Sequence, residues 1–142
     1  MNDSLKNNEY QKKVFEIYNK NIEPILKDET PALLVEVELY HNSYTKKNSY
    51  DPQRMDFCLH LGNIIILIEL DGIQHIGDCK DGLWVASEVK YSEQCLFDIQ
   101  WQLAGNEIYR ISNKTFKDMS EKDIEKFITD FFIFLFKKHK LI

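Results

Sequence analysis

The run Ile64-Ile65-Ile66-Leu67-Ile68-Glu69-Leu70, entered through Gly62-Asn63 and left through Asp71-Gly72, constrains this chain more than any other stretch. Seven residues with a single polar member, bounded by turn formers, predict a β-strand covered on both faces. The Gly62-Asn63 turn makes Arg54 to Leu61 its antiparallel neighbour. Pairing around that turn sets position i against roughly 125 − i, so Asp56 falls opposite Glu69. Glu69 and Asp71 are two apart and share a face. Two unit charges ~4 Å apart repel by ~4 kcal/mol at an effective dielectric of 20. A group that offsets this repulsion is expected: Mg²⁺ or Mn²⁺ on hard oxygen ligands, or a cationic side chain such as Arg54 or Lys90 at a sheet end.

The rest of the chain supplies layers for such a strand. Tyr10, Val14, Ile17, Tyr18, Ile25 and Leu26 recur at helical spacing, which predicts an amphipathic helix from about residue 5 to 27. Leu33 to His41 alternates, with Leu33, Val35, Val37 and Leu39 on one face of a half-buried strand. A polar connection over 42–53 carries Lys46 and Lys47. Residues 72–89 read as a long irregular loop, and 76–90 are expected to form a mobile border to a substrate groove. Trp84 is then its apolar anchor or a base-stacking platform, with core packing ahead. Tyr91 to Ala104 predicts a helix with a Tyr91, Cys95, Ile99, Leu103 stripe and Gly105 behind it. Glu107 to Ser112 predicts a short strand, and Ser120 the N-cap of a last helix reaching about Lys140. The sum is a single α/β (α+β) domain over 1–142, built on one mixed sheet.

Composition narrows the function classes. The formal charge is −5, unevenly placed: residues 56–107 hold nine acids against Lys80 and Lys90, a balance of −7, while residues from Arg110 onward sum to +3. The acidic middle tells against nonspecific coating of nucleic acid and suits a bound cation. Three cysteines without CxxC spacing or a signal-peptide pattern tell against zinc and predict a reducing, cytoplasmic setting. The longest apolar run, Phe131 to Phe136, falls short of the ~20 residues of a membrane span. That run is expected to bury a C-terminal helix against the sheet; a protein partner is the other reading of it. Glycine-rich nucleotide loops and a GxSxG elbow are absent from the sequence. His75, four residues after Asp71, is the histidine placed beside the carboxylates and a candidate proton carrier.

These residues resemble a known family. Arg54-Met55-Asp56-Phe57 followed by Ile68-Glu69-Leu70-Asp71-Gly72-Ile73-Gln74-His75 is similar to the RxDF … IExDGxQH signature of PD-(D/E)xK nucleases, in the branch of very-short-patch-repair endonucleases. Asp98, Leu103, Gly105, Glu107-Ile108-Tyr109 and Arg110 match the D…L…GYxVxR stretch that follows in that branch, so the resemblance covers about residues 33 to 113. Trp101 stands where the branch has a helical arginine, and Asp71 where many members have a lysine.

The resemblance implies a restriction-endonuclease-like three-layer fold, with a β-hairpin active-site core in a central mixed sheet flanked by helices. It implies a Mg²⁺- or Mn²⁺-dependent endonuclease that hydrolyses phosphodiester bonds, with DNA ahead of RNA. Asp56 and Glu69 become the metal-binding carboxylates, Asp71 and His75 the remaining catalytic groups. Asp98 and one of Glu36 or Glu38 become accessory acids. Lys46, Lys47, Arg54, Lys80, Arg110 and Lys114 are candidate phosphate contacts. The alternative is a nuclease-fold module that no longer cuts, or a partner subunit or homodimer within a larger nucleic-acid-processing or defence complex. No membrane partner is expected.

Overall fold

The computed structural model describes residues 3–39 and 53–142. His41, Lys46, Lys47 and all but the end of the 42–53 connection lie outside the described residues. A first helix, α1 (Asp3–Ile17), runs into a π-helical turn at Tyr18–Ile22 and a short α2 (Glu23–Leu26) with a proline in its first turn. Val14, Tyr18 and Ile22, spaced by four, would drift around a 3.6-residue helix. The widened turn keeps all three against the core, each at most 2% exposed. The helix predicted over 5–27 is therefore present but broken in phase.

Strands β1 (Leu34–Leu39), β2 (Gln53–Leu61), β3 (Ile64–Asp71) and β6 (Glu107–Ser112) form one sheet in the order β1-β2-β3-β6. β1 and β2 are antiparallel, as are β2 and β3, while β6 lies parallel to β3. The sheet is mixed, and the strand predicted as central is central: β3 has a neighbour on each side and is buried from Ile66 to Leu70. A parallel pair needs a crossover. Between β3 and β6 the chain forms β4 (Gly77–Lys80), β5 (Leu83–Ala86) and α3 (Glu88–Leu103); after β6 come α4 (Asn113–Lys117) and α5 (Glu121–Lys138).

Helices cover both faces of the sheet. Val14, Tyr18 and Ile22 pack with Phe57, Leu59, Ile66, Ile68 and Leu70 and with Ile128, Phe132, Leu135 and Phe136 of α5. At ~1.5–3 kcal/mol per buried large side chain, this is the main hydrophobic term of the fold. A smaller cluster, Met55, Cys58, Leu67 and Phe97, with Trp101 and Ile108 against it, joins α3 to the other face. The Phe131–Phe136 run is mostly core, with Phe134 left 52% exposed. Ser120 caps α5 as expected, its Oγ accepting from the Asp123 N–H at 3.1 Å. Among the described residues no helix is long and apolar enough to cross a membrane.

Four expectations are corrected. The irregular loop read over 72–89 holds a β-hairpin, β4 paired antiparallel to β5, whose turn residues Asp81 and Gly82 both have positive φ, 51° and 79°. That is the shape a two-residue hairpin turn demands. Gly77 starts it because a Cβ there would press on the carbonyl oxygens of Ile73 and Val85, at 3.1 and 3.2 Å. Trp84 is 42% exposed, not a core residue. On α3 the Tyr91, Ile99, Leu103 stripe faces solvent, 60%, 53% and 78% exposed, because the aromatic pair Phe97 and Trp101 takes the sheet face. Leu33, just ahead of β1, belongs to the first cluster but Val37 and Leu39 of β1 to the second. The single-face alternation breaks at Glu36, whose φ of +54° turns the strand between them.

Candidate active site

The hairpin between β2 and β3 opens at its far end. Its ladder runs from Leu61↔Ile64 to Phe57↔Ile68, the register predicted from the turn, and the next pair is Asp56 and Glu69. Beyond that point β2 stays with β1, and β3 stays with β6. The two strands fork, and the carboxylates fill the gap. Glu69 Oε1 accepts from the Asp56 backbone N–H at 2.6 Å, and Asp56 Oδ2 accepts from the Leu70 N–H at 2.7 Å. Each acid thus satisfies a backbone donor that the broken ladder leaves over. From behind, the Gln11 amide of α1 donates to the Asp56 carbonyl at 3.4 Å.

Burial makes this arrangement unfavourable for charge. Glu69 is 4% exposed. Loss of water, and next the charge of Asp56, push its carboxyl up to about 8, against the opposing pull of the Asp56 N–H and Arg110. Asp56 is raised by burial as well, with the Leu70 N–H and His75 opposing and Asp71 and Glu36 adding to the rise. Glu36 stands directly across from Asp56 on β1, in the one gap of an otherwise continuous register. Of the two accessory acids considered, it is the one that reaches the cluster electrostatically. Glu38 instead pairs with Arg54 at 3.3 Å on the surface.

Asp71 sits where several groups converge. Arg110 Nη1 donates to both its oxygens, at 3.2 and 3.3 Å, Gln94 Nε2 donates to Oδ2 at 3.1 Å, and His75 Nδ1 lies 3.3 Å from Oδ1. Arg110, opposite Glu69 in the β3–β6 register, also grips Asp98 of α3 through Nε at 2.9 Å and Nη2 at 2.7 Å. This fork-to-fork pairing consumes the guanidinium. One ligand atom each from Glu69, Asp71 and His75 lies within 4.8 Å of the others.

The structure therefore brings together Asp56, Glu69, Asp71 and His75, with Asp98 and Arg110 tied in through Asp71. Neither Arg54 nor Lys90 pairs with Asp56 or Glu69. Lys90 binds Asp78 at 2.8 Å and the carbonyls of Gly77 and Gln74 at 2.8 and 3.4 Å. Lys80 is exposed on β4, and Lys114 is exposed at the start of α4. Sequence reasoning missed Gln94 as a holder of Asp71 and Lys90 as the bolt of the β4–β5 hairpin. The signal was present: Lys90, Gln94 and Asp98 recur every four residues, a polar stripe beside the aromatic one. No protein-family model, curated protein or solved structure matches the chain.

Proposed function

We propose that the chain is a metal-dependent nuclease with a restriction-endonuclease-like fold, hydrolysing phosphodiester bonds of nucleic acid, DNA before RNA. The observation that carries this reading is the Asp56–Glu69 pair at the strand fork, Asp56 half-buried and Glu69 buried and pushed up to about 8. Among the described residues Arg110 is the one Lys or Arg within ion-pair distance of the Asp56, Glu69, Asp71 and Asp98 cluster, and Asp98 already holds it. A divalent cation offsets such a concentration of like charge, and the donors suit one: carboxylate oxygens with an imidazole alongside. Asp56 and Glu69 would hold Mg²⁺ or Mn²⁺. The chemistry such an ion supplies is polarisation of the scissile phosphate and acidification of the attacking water.

The chain's own groups then divide the remaining work. Asp71, fixed by Arg110 and Gln94, orients His75 through Nδ1. The other ring nitrogen of His75 carries the proton, taken from the attacking water or given to the leaving oxygen. Arg110 supports Asp71 rather than the substrate. Phosphate contacts fall to Arg54, with Lys46 and Lys47 in the segment outside the described residues. A module that no longer cuts has no need of two acids side by side with one of them buried, which counts against the inert alternative. The test is incubation of the purified chain with supercoiled plasmid, single-stranded DNA and RNA, each with Mg²⁺, Mn²⁺ or EDTA. Cleavage confined to the metal lanes and strongest on DNA is expected. Intact substrates in every lane, from a chain that also fails to bind Mn²⁺, would end the proposal.

A further inference from the structure

The β4–β5 hairpin stands apart from the main sheet as a separate two-stranded ladder, with four residues in each strand. A lone hairpin of this size is marginal in water. Its root is held by Lys90, but its surface is apolar: of the fifteen exposed large hydrophobic side chains among the described residues, seven fall between Ile73 and Tyr91. On β5 every residue is exposed, with Leu83 at 71%, Trp84 at 42% and Val85 at 48%. Lys80 and Leu83 flank the two-residue turn and form its closing hydrogen-bonded pair. Alternation along the ladder then makes Cys79 and Trp84 a non-hydrogen-bonded pair, so the Trp84 N–H and C=O point to the outer edge. Among the described residues no strand takes them up.

Soluble proteins guard such edges with charge, proline or a bulge. β4 is guarded: it carries Asp78 and Lys80, and Lys90 Nζ caps the Gly77 carbonyl at 2.8 Å. β5 reads Leu-Trp-Val-Ala and has no such guard. We propose that β5 is the seam of a two-fold homodimer, pairing antiparallel with β5 of a second copy about Trp84 to give one four-stranded sheet. Self-complementarity selects this occupant. β5 is uncharged, so two copies meet along it without the like-charge contacts that the acidic middle of the chain would bring. Two-fold pairing about Trp84 sets Leu83 against Val85 of the second copy and the reverse, apolar against apolar without a like-charge contact. Nucleic acid would instead meet Asp78, Asp81 and Glu88, with Lys80 the lone cation of the hairpin.

Sedimentation of the full chain over a concentration series tests the seam. The wild type is expected to dimerise, and Leu83→Lys or Val85→Glu alone to weaken the dimer at least about tenfold. Both positions are exposed, so circular dichroism spectra matching the wild type will show that the fold is kept. The double variant, Leu83→Lys with Val85→Glu, is expected to dimerise again, because each substituted position faces the opposite charge. A wild type that stays monomeric, single variants that dimerise as well as wild type, or a double variant no better than the singles each overturns the seam. So does an oligonucleotide that quenches Trp84 in monomeric protein.

Discussion

Two glutamates of this molecule lie on neighbouring strands and live in opposite electrostatic worlds. Glu107, at the start of β6, is met by donors on every side. Tyr109 Oη donates at 2.7 Å, Lys138 Nζ lies at 3.1 Å, and His139 Nε2 lies at 3.0 Å from Oε1. Partial burial works against it, yet these hydrogen bonds hold its carboxyl below the usual range. Glu69, three residues further along the β3–β6 ladder, has one backbone N–H and a distant share of Arg110, and its carboxyl rises to about 8. Glu107 clasps the end of α5 onto the sheet. Glu69 has no comparable set of donors, and burial beside Asp56 works against its charge. An ordinary carboxylate role gathers donors around itself, whereas a carboxylate placed among its own kind in a dry site answers to something the fold alone does not need.

The contrast can be broken most forcefully at the fork. Asp56→Asn keeps the shape of Asp56 and the Leu70 N–H contact but removes the charge proposed to hold the metal, so on the proposed reading cleavage should fall by about three orders of magnitude or more, read from initial rates on plasmid in Mn²⁺. His75→Ala is expected to lose about 10²–10⁴ in rate, as a positioned proton carrier does. Its Mn²⁺-induced rise in melting temperature should survive; loss of that rise together with the rate would make His75 a ligand instead.

At the clasp the expectation is reversed. Glu107→Gln should destabilise the protein by about 1.5–3 kcal/mol in denaturant titration, since charged hydrogen bonds are removed from half-buried partners. A neutral result there would erase the distinction between the two sites. The smallest effect is a slope. Glu69 binds its proton more tightly folded than unfolded, so its contribution to metal-free stability is full below about 4.5 and is lost as pH rises through about 8. Melts in EDTA across that window should show stability declining with pH, and Glu69→Gln should flatten the decline.

Much of the fork was legible because a two-residue turn fixes register. Once Gly62-Asn63 was read as the turn, Asp56 had to face Glu69, and the β2–β3 ladder agrees. Asp81-Gly82 carried the same kind of signal and the strands around it were still missed, since four residues on each side are too few to show periodicity. The outward turn of the Tyr91–Leu103 stripe was hidden for another reason. Spacing shows that a helix has an apolar face, but which of two faces meets the sheet depends on the surface each can bury and on Asp98 reaching Arg110. Arg110 itself looked like a phosphate hand. It lies 39 positions from Asp71, and only the parallel pairing of β6 with β3 brings the two together. The inversion at Glu36 has no sequence signature, because glutamate rarely adopts positive φ.

The sign of one substitution decides the central claim. Glu69→Gln, melted beside wild type at pH 8, is expected to be at least as stable in EDTA, because a repelled and desolvated charge is gone. In millimolar Mn²⁺ the order should invert: wild type gains about 4 °C, from an ion present at roughly ten times its dissociation constant, and the variant gains nothing. A variant that melts lower than wild type in EDTA, with Mn²⁺ moving neither protein, would make Glu69 a structural residue and contradict the metal site.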